Sequence, residues 1–127
     1  MTIKSCIDSM LKEQLRRQAL GKGFDNSSEK GRIDGSVKAW MFLAESYEKA
    51  GYDDFKAALR VEAKTVKDKL VKAKSLSDYK KSYLASYADT IASFTQGLDE
   101  HRFDLTKDEL ANENGHFDEL DMLLFNR

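Results

Sequence analysis

Proline is missing from all 127 residues of this chain. Proline marks turns and edge strands and breaks helix interiors, so a chain without it is free to run long helices joined by Gly, Asn, Asp and Ser turns. The apolar residues agree. They recur every three or four positions, and no segment sustains the alternation that a half-buried strand needs. The expectation is an all-α domain: a compact bundle of four main helices plus one or two short C-terminal helices. This length makes one domain with a real core. Apolar residues at 41% and charged residues at 34% suit helices with charged outer faces.

The first helix is expected from about Thr2 to Leu20, with Ile3, Ile7, Met10, Leu11 and Leu15 on one face. Gly21 and Gly23 should end it, because glycine accepts the left-handed conformation of a C-terminal cap. Phe24 follows in a turn. The second helix should start with Ser27 or Ser28 as N-cap and stop at Gly51. Ile33, Val37, Trp40, Met41, Ala44 and Tyr47 mark its apolar face, and Phe42 and Leu43 make Trp40–Ala44 apolar almost all round. A helix of that kind is buried on several sides, so this is the expected central helix.

The third helix should begin after Tyr52 with Asp53 as cap, and bury Phe55, Leu59, Val66, Leu70 and Ala73. The fourth should run from an N-cap at Ser77 to about Gln96, with Gly97 as its cap and Tyr83, Tyr87, Ile91 and Phe94 facing inward. Residues 1–97 then form the four-helix core. Residues 98–127 form an acidic C-terminal helical segment, packed on the core or used for docking. Within it, Thr106 and Glu109 have the spacing of a capping box.

Net charge is −1, but its distribution is uneven. Residues 52–76 carry seven basic and four acidic groups, whereas residues 98–127 carry three and nine. A basic middle and an acidic end can attract each other within one molecule or between copies. No apolar run approaches the roughly 20 residues that span a bilayer. The first ten residues lack the apolar core of a signal peptide. Cys6 is the lone cysteine, which fits a reducing compartment. A cytoplasmic location, with no membrane partner, is expected.

Within the second helix, Gly31 and Gly35 stand one turn apart. Each interior glycine costs about 1 kcal/mol relative to alanine, so the pair needs a reason. Either a partner helix approaches closely there, or the helix starts only after Gly35, or another helix of the same chain fills the gap. On the third helix Lys56, Arg60, Lys64, Lys67 and Lys74 form a basic stripe that can neutralise phosphates, with Tyr79 and Tyr83 beyond it as stacking candidates. Asp68 and Glu62 interrupt that stripe, and a solvated helix face explains it as well. At the C-terminus Phe117, Leu120 and Leu124 line one side of an acidic amphipathic segment, a docking helix or a lid over the bundle.

Other constellations carry less. Asn112 to Asp121 imitates a calcium loop but puts Leu110 where the first carboxylate belongs. His101, Asp104 and His116 have no spacing that demands a metal. Cys6 reads as a small core residue, and Tyr79, Tyr83 and Tyr87 as a core boundary with hydroxyls outward. No nucleophile, base and orienter assemble, and no cofactor or small-molecule substrate is expected.

The run Glu-Lys-Gly-Arg-Ile-Asp-Gly-Ser-Val-Lys-Ala-Trp, ending at Trp40 and preceded by a short amphipathic helix, resembles segments of small helical proteins encoded by tailed bacteriophages. The resemblance covers the N-terminal part of the chain, up to Ala50 or so. It implies an intracellular accessory protein, either a virion assembly component or a factor that binds and alters a host protein. The expected function is therefore a non-enzymatic helical protein–protein interaction module, acting on a protein partner or by self-association as an oligomer. The alternative is a nucleic-acid-associated protein using the basic face of the third helix.

Overall fold

Among the described residues, four of the five helices begin where a short polar side chain reaches free backbone N–H groups; the third begins at Tyr52, so Asp53 lies in its first turn and not at the expected cap position. The computed structural model describes residues 1–21, 26–72 and 75–114. Phe24, Ala73, Lys74 and the whole stretch 115–127, with Phe117, Leu120 and Leu124, lie outside the described residues. Within them the order is α1 Ile3–Leu20, α2 Ser27–Lys49, α3 Tyr52–Lys72, α4 Asp78–Asp99 and α5 Lys107–Asn114. The architecture is an all-α bundle of four main helices with a short fifth. The described residues hold no strand, only an isolated parallel bridge between Thr2 and Asp104.

Thr2 caps α1 by accepting from the Ser5 N–H at 3.1 Å. Ser77 caps α4 by accepting from Lys80 at 3.2 Å. Thr106 and Glu109 close the expected capping box: the Thr106 N–H donates to Glu109 Oε1 at 2.9 Å, and the Glu109 N–H donates to Thr106 Oγ1 at 3.2 Å. Asn26, rather than either serine, caps α2 through its Oδ1. Its amide oxygen reaches two N–H groups at once, leaving Ser27 and Ser28 in the first turn.

Two expected glycine stops take another form. Gly21 ends α1 with φ −86°, so the left-handed conformation is not used there. Gly97 does not cap α4; the helix runs through it to Asp99, and a boundary at 97/98 falls inside one helix. The left-handed residue after α4 is His101, φ 55°. The His101 N–H donates to the Leu98 carbonyl and the Arg102 N–H to the Gly97 carbonyl, the paired bonds of a Schellman ending. Gly97 is buried because the Phe103 ring lies over it, and a Cβ there would stand 3.1 Å from the ring.

α2 is the central helix. It packs on α4 along much of its length, on α1 at one side and more lightly on α3. Phe94 joins the aromatic core, its ring edge-on to Trp40 at 5.8 Å and to Phe55 at 6.1 Å, with Phe103 at 4.9 Å. Such pairs add roughly 0.5–1.5 kcal/mol each beyond their buried area. Burial departs from expectation on two helices. On α1 the buried stripe is Ile3, Ile7 and Gln14, while Met10 and Leu15 are 36% and 44% exposed. α1 meets the bundle along one narrow seam, and Met10 and Leu15 flank that seam on opposite sides. On α2, Met41 faces outward at 41% exposure, so Trp40–Ala44 is not enclosed all round.

The segment after α4 packs back on the core. Leu98 is buried, and Phe103 and Leu105 lie against the core cluster. Asp104 holds the N-terminus: its carboxylate pairs with the Met1 amine at 2.7 Å, and its N–H donates to the Met1 carbonyl. No helix among the described residues is long and apolar enough to cross a membrane.

Candidate interaction groove

The glycine pair is explained inside the chain. Gly31 and Gly35 are buried in α2, and α4 lies directly on them. A Cβ at Gly31 would collide with the Tyr79 carbonyl oxygen and stand 3.1 Å from Ser82 Cβ; one at Gly35 would collide with the Tyr83 carbonyl. Since Gly31 meets Tyr79 and Gly35 meets Tyr83, α2 and α4 run in the same direction. Polar bonds stitch this seam. Ser86 Oγ donates to the Arg32 carbonyl at 2.6 Å. Asp34 accepts from the Tyr79 hydroxyl at 2.6 Å and from Gln18 Nε2 at 3.0 Å, tying α1, α2 and α4 together. The pair is therefore unavailable to a partner helix, which corrects that expectation.

The basic stripe is partly spent. Lys56 lies over the Tyr52 ring at 4.8 Å. Arg60 pairs with Asp99 at 2.8 Å. Lys64 and Lys67 remain at the surface and line a shallow groove of about 490 Å³ between α3 and α4, with Asp68 beside them on α3 and Asp99 across it on α4. Tyr79 and Tyr83 do not extend this surface. They sit on the α2 side of α4, and the Tyr79 hydroxyl is committed to Asp34. The hydrogen bond to Asp34 holds the Tyr79 phenol up at about 12, and burial pushes Tyr83 and Tyr87 up as well. Tyr87 also donates to Glu62 at 3.2 Å.

A different concavity has a binding character. Along the Trp40 half of α2, α1 and α4 both pack on α2, while a groove of about 430 Å³ stays open over the indole. Trp40 and Phe94 supply an aromatic floor. Cys6, Met10 and Gln14 form the α1 wall. Asp89, Thr90 and Ser93 form the α4 wall, and Arg102 and Phe103 close one end. Arg102 also pairs with Glu100. Burial pushes the Cys6 thiol above its ordinary value, which suits a wall residue rather than an activated nucleophile.

Gln14 is the unusual member. It is 8% exposed and lines this groove, and its amide end reaches solvent there, since no buried side-chain N or O atom among the described residues lacks a hydrogen-bond partner. A concavity with an aromatic floor and a few polar groups on its walls is a common form of binding site. Periodicity put Met10 on the inner face and gave no reason to look at Gln14; a polar residue in register with Ile3 and Ile7 was the available signal.

Among the described residues no three His, Cys, Asp or Glu side chains converge as metal ligands. No protein family, curated protein or solved structure matches this chain.

Proposed function

We propose that this chain is a non-enzymatic, cytoplasmic protein-interaction module that receives a polypeptide partner in the groove over Trp40. The observation that carries this is the groove itself, about 430 Å³ between α1 and α4, with Trp40 and Phe94 as an aromatic floor and Gln14, Thr90 and Ser93 as polar wall groups. A peptide group beside a large apolar side chain satisfies both features at once. The resemblance of the N-terminal part, up to Ala50 or so, to phage-encoded helical proteins would fit an accessory role, in assembly or in altering a host protein. Nucleic-acid binding through α3 is the lesser reading, because Lys56 and Arg60 are engaged and acidic groups share the groove wall.

The test uses the full chain as bait in extract of its native cell, beside two surface variants. Met10→Lys with Ser93→Lys alters the groove; Lys64→Glu with Lys67→Glu alters α3. A protein retained by the wild type and the α3 variant but lost by the groove variant supports this function. Retention indifferent to the groove variant sinks it. Retained nucleic acid that disappears with the α3 variant moves the function to α3.

A further inference from the structure

We infer that the groove over Trp40 selects a cationic-apolar peptide, seating one large apolar side chain on the Trp40–Phe94 floor with a lysine or arginine beside it against Asp89. This rests on the groove being the binding surface, and it names the chemistry of the partner. At about 430 Å³ the groove is at the small end of ligand sites, so it takes an anchoring side chain and its neighbours rather than a whole helix face. The anchor supplies affinity and is common to many peptides. Charge at the rim decides among them.

Two charged residues line the groove, Asp89 on the α4 wall and Arg102 at one end. They are not equivalent. Arg102 is neutralised by its ion pair with Glu100. Asp89 is exposed, and no hydrogen bond or ion pair among the described residues engages its carboxylate. The α1 wall of Cys6, Met10 and Gln14 carries no charge. The groove therefore presents one uncompensated negative charge. Ser93 stands one helical turn from Asp89 on the same wall, and its exposed hydroxyl is a second acceptor for an ammonium or guanidinium group.

The opposite sign lies beyond α4. That helix turns another face, Ala92, Thr95 and Gln96, toward the groove with α3, where Arg60, Lys64 and Lys67 outnumber Asp68 and Asp99. A cationic peptide is drawn to the Trp40 groove and repelled from the α3 groove, and an acidic peptide is treated the reverse way.

Trp40 is the single tryptophan, so its emission reports this groove. The probes are short capped peptides without Trp or Tyr, each holding one Phe flanked by Lys, by Gln or by Glu. They are titrated at low salt onto the full chain and onto its Asp89→Asn and Asp89→Lys variants, with helical circular dichroism confirming each fold. The lysine peptide should bind about threefold tighter than the glutamine peptide, and that one about threefold tighter than the glutamate peptide, the scale of one exposed charge pair. The order should invert in Asp89→Lys and fade at high salt. Asp89→Asn should level lysine with glutamine, and it carries the test alone if Asp89→Lys does not fold. Equal binding of all three peptides overturns the inference and keeps the groove as the binding surface. A lysine preference that survives both variants overturns it as well. Trp40 emission unmoved by any peptide overturns the inference and the proposed function together. Emission that shifts with protein concentration alone gives the groove to a second copy and overturns the cationic peptide.

Discussion

α2 meets its neighbours in two opposite ways along its length. At Gly31 and Gly35 there is no side chain, and the α4 backbone comes down onto the helix. Nine residues further along from Gly31, Trp40 presents the largest side chain available, and the space above it between α1 and α4 stays open. The same helix pair is thus closed at one end and bordered by a groove at the other. Glycine trades helix propensity for close approach. Tryptophan brings buried area and aromatic contact with Phe94. The closed end is where stability should be sensitive; at the open end Trp40 and Phe94 are still core, and the exposed groove walls are where sequence can change without unfolding the bundle.

Breaking the closed end should give the largest effect. Gly31→Ala and Gly35→Ala each force a Cβ against an α4 carbonyl, and backbone cannot yield cheaply. We expect each to lose about 2–3 kcal/mol, the scale of overpacking, even though alanine favours the helix by about 1 kcal/mol. Gly51→Ala, with nothing within 4 Å, is the control and should stay near neutral. Denaturant unfolding separates them. A stabilised Gly35→Ala would show that α4 does not sit on α2 in this way.

Next comes the polar clasp on Asp34. Tyr79→Phe should lose about 1 kcal/mol by removing one bond to a part-buried carboxylate. The pH dependence has a defined sign. Tyr79 is held up at about 12 by its bond to Asp34 and by burial, and Tyr47 at about 12 by burial and its bond to Glu109. Folding therefore favours the protonated phenols. That contribution is complete below the ordinary phenol value near 10, and is lost as pH rises from there to about 12. Phenolate absorbance should lag in the folded protein and then appear together with loss of helix. A smooth titration near pH 10 with the helices intact would contradict both contacts.

How much of this could be read from the residues differs between the two ends. The glycine pair announced a close approach, and filling by a helix of the same chain was one of its readings. Local caps were legible too: Ser77, and the Thr106–Glu109 box, depend on neighbours in sequence alone. The groove was not legible, because periodicity says which face is buried and not which helices stand side by side. α2 and α4 are partners across an intervening helix, and nothing in their spacing states that. Gln14 was invisible for the same reason, being polar at a position whose burial comes from packing. His101 was weighed as a metal ligand, whereas its backbone role after α4 follows from where that helix ends.

His101 gives a smaller test, at the edge of the open end. It is the non-glycine residue with positive φ among the described residues, and it holds the Schellman turn that aims Arg102 and Phe103 at the groove. A left-handed conformation costs a side-chain-bearing residue about 1–2 kcal/mol. His101→Gly should therefore stabilise the protein by up to about 1 kcal/mol, seen as a raised unfolding midpoint. Loss of stability would mean that the histidine ring, rather than the turn, supports this corner.

The smallest stability effect belongs to the groove itself. Met10 flanks the α1 seam at 36% exposure and is not part of the buried stripe, so Met10→Lys should shift stability by no more than about 0.5 kcal/mol. Its long aliphatic stem can still lie along the wall while the ammonium stays in water. The same substitution sets a desolvated charge beside any apolar side chain entering over Trp40, so binding there should suffer far more than folding. That separation is what the contrast along α2 requires. A Met10→Lys protein that unfolds would mean the groove wall is core, and the open end would then differ from the closed end only in degree.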